Sequence, residues 1–296
     1  MGRVDQDVMF DWNNEPRTVT VSSFYMDETE VRNVDYREYL FWIKRVYRDY
    51  PEVFRRALPD TLVWRSPMGF NDPYVQYYFR HPSYNNYPVV GVSWTKANDY
   101  CLWRTDRVNE QLLIEEGELN PDPNQLNEKN FNTEAYLAGQ YEGVVNRLRE
   151  SLNPNQTERR TNFEDGLLLP AYRLPTEAEW EFAAYALRGN TFEERIYERR
   201  IFPWDGHNVR NSAKKSRGEM MGNFVRGRGD MMGVAGSLND NGSITTDVRS
   251  YWPNDYGLYC MAGNVNEWVQ DVYRPLTSQD VDGFNPFRGN VYTDLR

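Results

Sequence analysis

One segment of this sequence combines backbone-bending residues with oxygen-bearing groups that could bind a cation. It runs from Gly257 to Val269 and reads GLYCMAGNVNEWV. Glycine and asparagine adopt turned backbone conformations easily, and their spacing here fits no regular helix or strand. Backbone carbonyls and the carboxylate of Glu267 would then lie close together. Two interpretations stay open: a loop that holds a cation, or a buried irregular core loop anchored by Trp268.

Cysteine and histidine, which carry much metal and nucleophile chemistry, are scarce in this chain. The cysteines are Cys101 and Cys260, and the histidines are His81 and His207. Two cysteines in a chain of this length make no disulfide framework, and we expect two buried free thiols. Isolated histidines are usually surface or hydrogen-bonded residues. The glycine-rich stretch 222–236 lacks the lysine and hydroxyl residue of a phosphate-binding loop, so we exclude that chemistry.

Composition limits the classes of function that the chain can serve. Its 296 residues are enough for one large domain or two small ones. With 40% hydrophobic residues, 26% charged residues and a mean hydropathy of −0.81, it is not an integral membrane protein. It also contains no apolar run of about 18 residues, the length that a membrane span needs. A net charge of −10 argues against nucleic-acid binding through a basic face.

Hydrophobic spacing predicts the elements that would position the Gly257–Val269 segment. Alternation predicts a strand over 17–27. Helical spacing follows Asn33, which we expect to be an N-cap, and a strand-like run covers 87–92. Ser93 is predicted to be the N-cap of a helix over Trp94–Arg107. Thr176 and Glu179 are predicted to form a capping box at the start of another helix.

Three stretches have the composition of loops or insertions. Residues 48–86 are rich in tyrosine, proline and charge, and we expect an irregular, partly helical insertion. Residues 108–168 are rich in asparagine, glutamate and glutamine, with helical pieces around 132–150. They would form either a surface excursion or a partner-binding arm. Residues 202–256 are rich in turn signals, so the whole is predicted to be an α+β protein with a loop-dominated half.

Several motifs, in order along the chain, resemble the formylglycine-generating-enzyme (sulfatase-modifying factor) family. The resemblance covers all but the two insertions, at about 48–86 and 108–168. It implies a C-type lectin-like α+β fold with few regular elements and long loops. We therefore expect a single domain over 1–296 that is truncated at both ends. The motifs are Met1-Gly2, FYMDETEVRN at 24–33, YPVVGVSW at 87–94, YRLPTEAEWE at 172–181, FPW at 202–204 and the Gly257–Val269 segment.

The resemblance also implies which chemistry to expect at which residues. The family's enzymes bind copper through two cysteines near the carboxy terminus, where neither Cys101 nor Cys260 lies, and relatives that use iron need several histidines. We therefore expect no copper, no iron and no catalytic residue in this chain. The family also has calcium sites, for which oxygen ligands are suited. By position, one would use the Asn223 side chain, the Phe224 carbonyl, Asp240 and the Gly242 carbonyl; a second would use the carbonyls of Gly263 and Val265 and the carboxylate of Glu267, although Cys260 replaces its usual side-chain ligand.

A narrower resemblance points to the gliding-motility lipoproteins of the Bacteroidota. It rests on residues 25–40, on residues 77–84 and on the two insertions. It implies a non-catalytic component of the type IX secretion machinery, in the periplasm and anchored to the outer membrane by a lipid outside this chain. Partners would be ring proteins such as GldK and GldN, and peptidoglycan. The alternatives are an oxygen-dependent enzyme with cysteines beyond residue 296 and a glycan-binding module.

Overall fold

The computed structural model is dominated by loops and short helices. It describes residues 1–2, 17–65, 71–146, 148–151, 158–186, 202–204, 208–224, 242, 244–272 and 284. Within them, the chain forms two compact units, which we describe separately. Unit 1 comprises Met1–Asn33, Tyr77–Val89 and Pro175–Arg296, and unit 2 comprises Val34–Gln76 and Val90–Leu174.

The described residues contain six α-helices and one small antiparallel sheet. Four short 3-10 helices lie between them, at Thr61–Trp64, Pro82–Tyr84, Asn127–Lys129 and Phe163–Asp165. Strand β1 pairs with β2 through Arg149 opposite Arg159 and Glu150 opposite Glu158. The elements are α1 (Asn33–Val46), α2 (Pro51–Ala57), α3 (Asp72–Tyr77), α4 (Trp94–Glu115), α5 (Thr133–Leu137), β1 (Arg149–Glu150), β2 (Glu158–Arg159) and α6 (Glu177–Tyr185).

Aromatic residues of α1 and α4 form the first core of unit 2. Tyr36 stacks on Tyr100 with ring centroids 5.7 Å apart, and Tyr39 lies 5.2 Å from Trp103. Tyr36 also donates a hydrogen bond of 2.8 Å to the Ala57 carbonyl. A buried tyrosine hydroxyl usually finds a hydrogen-bond partner, and here that bond also fixes the end of α2.

Residues 108–168 have a hydrophobic core of their own. Leu113, Phe131 and Tyr136 are fully buried there, together with Leu119 and Leu168. The expectation of a polar surface excursion is therefore wrong for the described part of this stretch. These apolar residues, although widely spaced along the chain, pack together beside the end of α4.

Hydrogen bonds join the two predicted insertions to one another. The Tyr50 hydroxyl donates to Glu128 over 3.1 Å, and the Asn127 side chain donates to Asp49 over 2.6 Å. A third bond, of 3.2 Å, runs from Asn130 to the Tyr47 hydroxyl. The start of the 48–86 insertion is thus held against residues 127–130 of the second insertion.

Unit 1 is built around α6 and the chain that returns past Tyr78. The predicted capping box is confirmed: Thr176 accepts from the Glu179 N–H, and Glu179 accepts from the Thr176 N–H. The buried Tyr78 hydroxyl donates to the Pro88 carbonyl over 2.7 Å. This bond holds the 87–89 segment, which pairs with residues 31–33 through an isolated bridge between Arg32 and Pro88.

Three predictions of local structure are wrong. No strand forms over 17–27, although burial there alternates as predicted over most of the segment, because no neighbouring strand pairs along it. Asn33 is the first helical residue, and its buried side chain donates to the carbonyls of Tyr78 and Tyr84 instead of capping the helix. Helix α4 runs on to Glu115, well beyond Arg107, since its continuation is rich in helix-forming Leu, Gln and Glu.

Other predictions agree with the structure. Ser93 accepts from the Lys96 N–H and so caps α4. Residues 48–86 are irregular and partly helical, and the described residues of 202–256 are loop. The β content is small, so the described residues are less evenly α+β than expected. No described helix is long and apolar enough to cross a membrane.

Candidate functional site

The beginning of the Gly257–Val269 segment is anchored to the last turn of helix α6. Leu258 and Met261 pack in a buried cluster with Ala183 and Ala184 of that helix. The Asn254 side chain donates to the Ala183 carbonyl over 2.8 Å and accepts from the Leu258 N–H over 3.1 Å. The interpretation of the segment as a buried core loop made Trp268 its anchor, and this anchor is wrong. Trp268 is 51% exposed, and Leu258 and Met261 are the buried residues instead.

The middle of the segment has left-handed backbone conformations, which glycine and asparagine adopt more easily than other residues. Cys260, Gly263 and Asn264 have φ angles of 52°, 93° and 65°. A side chain at Gly263 would place its Cβ 2.1 Å from the Asn223 carbonyl oxygen. That same oxygen accepts the Asn264 N–H over 2.8 Å. Only glycine permits both the left-handed backbone and this close approach.

Asn264 joins three distant parts of unit 1 through its side-chain amide. Its Nδ2 donates to both oxygens of Glu30, over 3.1 and 2.9 Å. Its Oδ1 accepts from the Thr246 N–H over 2.9 Å and from the Asn223 Nδ2 over 3.1 Å. A backbone N–H can only donate, so the Thr246 bond fixes which end of the amide faces Glu30.

Two carboxyl groups near this amide influence each other electrostatically. Burial raises the pKa of Glu30 to about 8; the Asn264 hydrogen bond lowers it, and the charge of Glu267 raises it further. The pKa of Glu267 is also raised, chiefly by burial, while a bond of 2.7 Å from the Trp180 indole opposes this. The Glu267 residue as a whole is exposed, but protein atoms crowd its carboxyl group.

The thiol of Cys260 lies beside the carboxyl group of Glu30. It is buried and donates to the Val248 carbonyl over 3.4 Å. Burial, followed by the charges of Glu30 and Glu267, raises its pKa to about 12. Thiolate is the form of cysteine that attacks carbon or binds soft metals. The surroundings of Cys260 therefore disfavour the reactive form.

Asn223, which was predicted for the first calcium site, contacts Gly263, which was predicted for the second. A Cβ on Gly242 would lie 2.9 Å from the Asn223 Oδ1, so Gly242 packs directly on that buried side chain. The Asn223 Nδ2 also donates to the Ile244 carbonyl over 3.0 Å. Phe224 follows as a partly buried residue, and Asp240 lies outside the described residues. The structure thus brings Asn223 and Gly242 together, and it places the Asn223 backbone against Gly263.

Sequence reasoning missed Glu30, Asn264 and Thr246 as members of this site. A signal for Asn264 was present, because the residue after Gly263 is the type that best tolerates a left-handed backbone. Glu30 lies in an acidic run, residues 27–30, where one carboxylate is difficult to single out. Within the described residues, no three His, Cys, Asp or Glu side chains converge as a metal site. A cation here would therefore need backbone and amide oxygens as well.

Comparison with known proteins gives a consistent relationship along the whole chain. The family model for the sulfatase-modifying factor enzyme 1-like domain matches residues 1–295. The mouse formylglycine-generating enzyme is 24% identical over 97% of this chain and 59% of its own length. The Streptomyces coelicolor enzyme is 35% identical over 40% of this chain and 32% of its own length.

Relatives without the activity are similar to the chain as well. The bovine inactive C-alpha-formylglycine-generating enzyme 2 is 24% identical over 87% of this chain and 63% of its own length. The chain spans 59% and 54% of the length of the mouse and bovine formylglycine-generating enzymes. On the match over residues 1–295, the chain belongs to the sulfatase-modifying factor enzyme 1-like domain family.

Proposed function

We propose that this chain is a non-catalytic, structural member of its family. In this role it would be a periplasmic lipoprotein component of the gliding-motility and type IX secretion machinery, related to GldJ, and would act through protein contacts. The proposal includes the C-type lectin-like form of the family fold. The observation that carries it is the state of the two thiols, because the family's oxygen chemistry depends on a cysteine pair.

The thiol of Cys260 is poorly suited to bind copper. Both cysteines are free, but Cys260 is buried whereas Cys101 on α4 is only partly buried, so the expectation of two buried thiols is confirmed for Cys260 alone. Copper(I) prefers paired soft thiolates. Cys260 is held as a neutral thiol by burial and by the neighbouring carboxyl groups. This arrangement supports a structural use of the loop.

The histidine that the structure describes also has a local structural role. His81 accepts the Ser83 N–H on its Nδ1 over 3.2 Å and so caps a 3-10 helix. Its ring lies edge-on to Tyr77, with centroids 6.4 Å apart. An imidazole that is used as a cap has one nitrogen fewer for a metal. The predicted isolated His207 lies outside the described residues.

The packed insertions support a role in protein contacts. Bonds between Tyr50 and Glu128 and between Asn127 and Asp49 hold them together as one body. A rigid body with its own core can present a fixed surface to a partner without paying the cost of ordering on binding. Ring proteins such as GldK and GldN, and peptidoglycan, are the partners that we propose.

Calcium fits the oxygen-rich pocket better than a soft metal does. When ionised, Glu30 and Glu267 repel one another, and a divalent cation would relieve this repulsion. Glu267, with the carbonyls of Gly263 and Val265, would hold it, and Glu30 could join them. The first set, Asn223, Phe224, Asp240 and Gly242, would hold a second ion. Calcium would contribute fixed charge and cross-linking of loops, and no reaction step.

Calorimetric titration of calcium into chelator-treated protein tests this cation. We expect binding that Glu267→Gln abolishes or weakens by about tenfold or more, since one charged ligand is lost. Glu28→Gln is the matched control, because Glu28 is exposed and pairs with Arg249 outside the pocket. Absence of heat, together with an unchanged melting temperature under chelator, would remove calcium from the proposal.

The role in secretion is tested with the full-length protein in a gliding bacterium. A tagged copy is purified from gently solubilised outer membranes, with an untagged strain as the control. We expect the ring proteins to be enriched in stoichiometric amounts. A chain that purifies alone, from membranes in which the ring proteins stay assembled, would contradict the proposal.

The enzymatic alternative is favoured by one observation, the similarity to formylglycine-generating enzymes across nearly the whole chain. It is tested with full-length protein, copper and a cysteine-containing sulfatase peptide under oxygen. We expect no formylglycine product by mass spectrometry. Product formation by the full-length protein would overturn the non-catalytic proposal and favour an enzyme whose catalytic cysteines lie beyond residue 296.

A further inference from the structure

Unit 2 exposes a group of apolar side chains on one short stretch of chain. Leu62 is 55% exposed and Val63 is 51% exposed, and Leu58 at 38% and Val53 at 36% lie just before them. Single exposed aliphatic residues are common on protein surfaces, but a contiguous group is typical of an interaction site.

The backbone that carries these side chains is held firmly in place. The Lys96 ammonium donates to the Leu58 carbonyl over 2.7 Å. Asp60 donates its N–H to the Gly91 carbonyl over 2.8 Å and accepts the Leu62 N–H over 2.9 Å. Gly91 is pressed so closely against Asp60 that a Cβ would lie 2.1 Å from its carbonyl oxygen. The apolar group is therefore a fixed surface and not the tip of a loose loop.

The same stretch is basic, in contrast to the net charge of the whole chain. Residues 53–65 contain three basic residues and one acidic residue, in a protein whose net charge is −10. Arg56 and Arg65 are exposed, and neither side chain has a partner among the described residues. We define the basic face of unit 2 as Val53, Arg56, Leu58, Leu62, Val63 and Arg65.

A complementary surface lies elsewhere in unit 2. Residues 115–144 contain seven acidic residues and one basic residue. A bridge between Leu119 and Val145 brings the end of α4 beside the 142–146 segment, where Val144 is 72% exposed. Burial and the charges of Glu110 and Asp122 raise the pKa of Tyr141 in this region. We define the acidic face as the exposed residues Glu115, Glu116, Asp122, Glu142 and Val144.

We propose that the basic face of one copy of this chain docks on the acidic face of a second copy. The pairing places Leu62 and Val63 against Val144 and sets the unpartnered Arg56 and Arg65 among carboxylates. Because the two faces differ, the contact is head-to-tail, and it leaves one face of each kind free to continue a chain or ring. The inference goes beyond the role in secretion proposed above, and it can hold if that role fails.

Sedimentation velocity of the purified full chain tests the contact. We expect the average mass to rise with protein concentration at about 0.01 M ionic strength and to fall towards the monomer at about 1 M, because salt screens exposed charges. The paired substitution Arg56→Glu with Arg65→Glu should weaken association by about tenfold or more, which equals about 1.4 kcal/mol or more. Lys214→Glu with Lys215→Glu, the same charge change on exposed residues of unit 1, should leave association unchanged.

A mixing experiment separates this contact from loss of folding. Glu115→Lys with Glu116→Lys should abolish association by itself, as should Arg56→Glu with Arg65→Glu. An equimolar mixture of the two variants should associate again, because each supplies the face that the other lacks. Failure of the mixture to associate, when both variants melt like the native chain, would overturn the proposal.

Anionic vesicles distinguish a membrane from a second copy as the occupant of the basic face. The native chain is sedimented with vesicles that contain phosphatidylglycerol. A chain that stays monomeric at all concentrations and low salt, whether or not these vesicles capture it, would overturn self-association. Capture would assign the basic face to an anionic membrane surface instead.

Discussion

Replacing Glu30 by glutamine should remove most of the pH dependence of stability that the Asn264 pocket creates. The pKa of Glu30 in the folded chain is about 8, against an ordinary value of 4.5. At about 1.4 kcal/mol for each pH unit, this difference corresponds to about 5 kcal/mol. Partial access of water makes that figure an upper limit, so we expect about 2–5 kcal/mol for the native chain.

The direction follows from proton linkage. A carboxyl group whose folded pKa is raised binds its proton more tightly in the folded state than in the unfolded chain. Its contribution is fully present below about pH 4.5 and is lost as the pH rises through about 8. In chelator, the free energy of unfolding should therefore fall from about pH 5 to about pH 9. Added calcium should reverse the loss if it binds the ionised group.

The assay is urea unfolding followed by circular dichroism across this pH range. Glu30→Gln should cost about 1 kcal/mol at low pH, because the amide offers one acceptor fewer to Asn264. It should then show a much flatter profile at higher pH. Glu28→Gln, an exposed change two residues away, should keep the native slope. If Glu30→Gln and the native chain lose stability in parallel, our account of the pocket is refuted.

Two other pairs of substitutions, each a test with its control, probe the packing of the two units by the same unfolding assay. Gly263→Ala should cost about 3 kcal/mol or more, because it adds a clash with backbone to a left-handed φ, whereas Gly257→Ala, with φ of 83° and open space around it, should cost only about 1–2 kcal/mol. Equal costs would contradict the close approach at Gly263. Arg149→Ala should cost about 3 kcal/mol because it strands the buried Glu118, while Arg55→Ala breaks an exposed ion pair and should cost under about 1 kcal/mol. A small effect at Arg149 would mean that Glu118 is satisfied without it.

Local signals in the sequence predicted the helix starts well. Thr176 and Ser93 cap α6 and α4 as expected, because a cap depends on residues within one turn of each other. The predicted strand over 17–27 failed for the opposite reason. Its alternating burial is real, but a strand also needs a neighbour along its length, and that neighbour is set by distant parts of the chain.

The second insertion shows how composition can mislead. Residues 108–168 are mostly polar, which led to the expectation of a surface excursion. Leu113, Phe131 and Tyr136 nevertheless form a dry core, and Glu118 is buried with Arg149 as its partner. A few large side chains suffice when loops bring them together, and their meeting cannot be read from average polarity.

The candidate site was predicted in part, at the level of backbone. Gly263 and Val265 were placed correctly in an irregular turn, and Asn223 and Gly242 do lie together. The partners of Glu30 were not foreseeable, because the amide that binds it is 234 residues away in the chain. Whether Asp240 joins Asn223 stays a prediction, since it lies outside the described residues.

Asn264 combines a backbone role and a side-chain role that no other residue type supplies together. Its position needs a left-handed backbone, for which asparagine is better suited than most residues. Its side chain must donate to Glu30 and at the same moment accept from Thr246. Aspartate would keep the acceptor but place a second negative charge on Glu30, and glycine would keep the backbone but leave both partners unsatisfied. The shape of the loop and the charge of the pocket are therefore one property, so that a change in the ionisation of Glu30 must act on the conformation of residues 260–265.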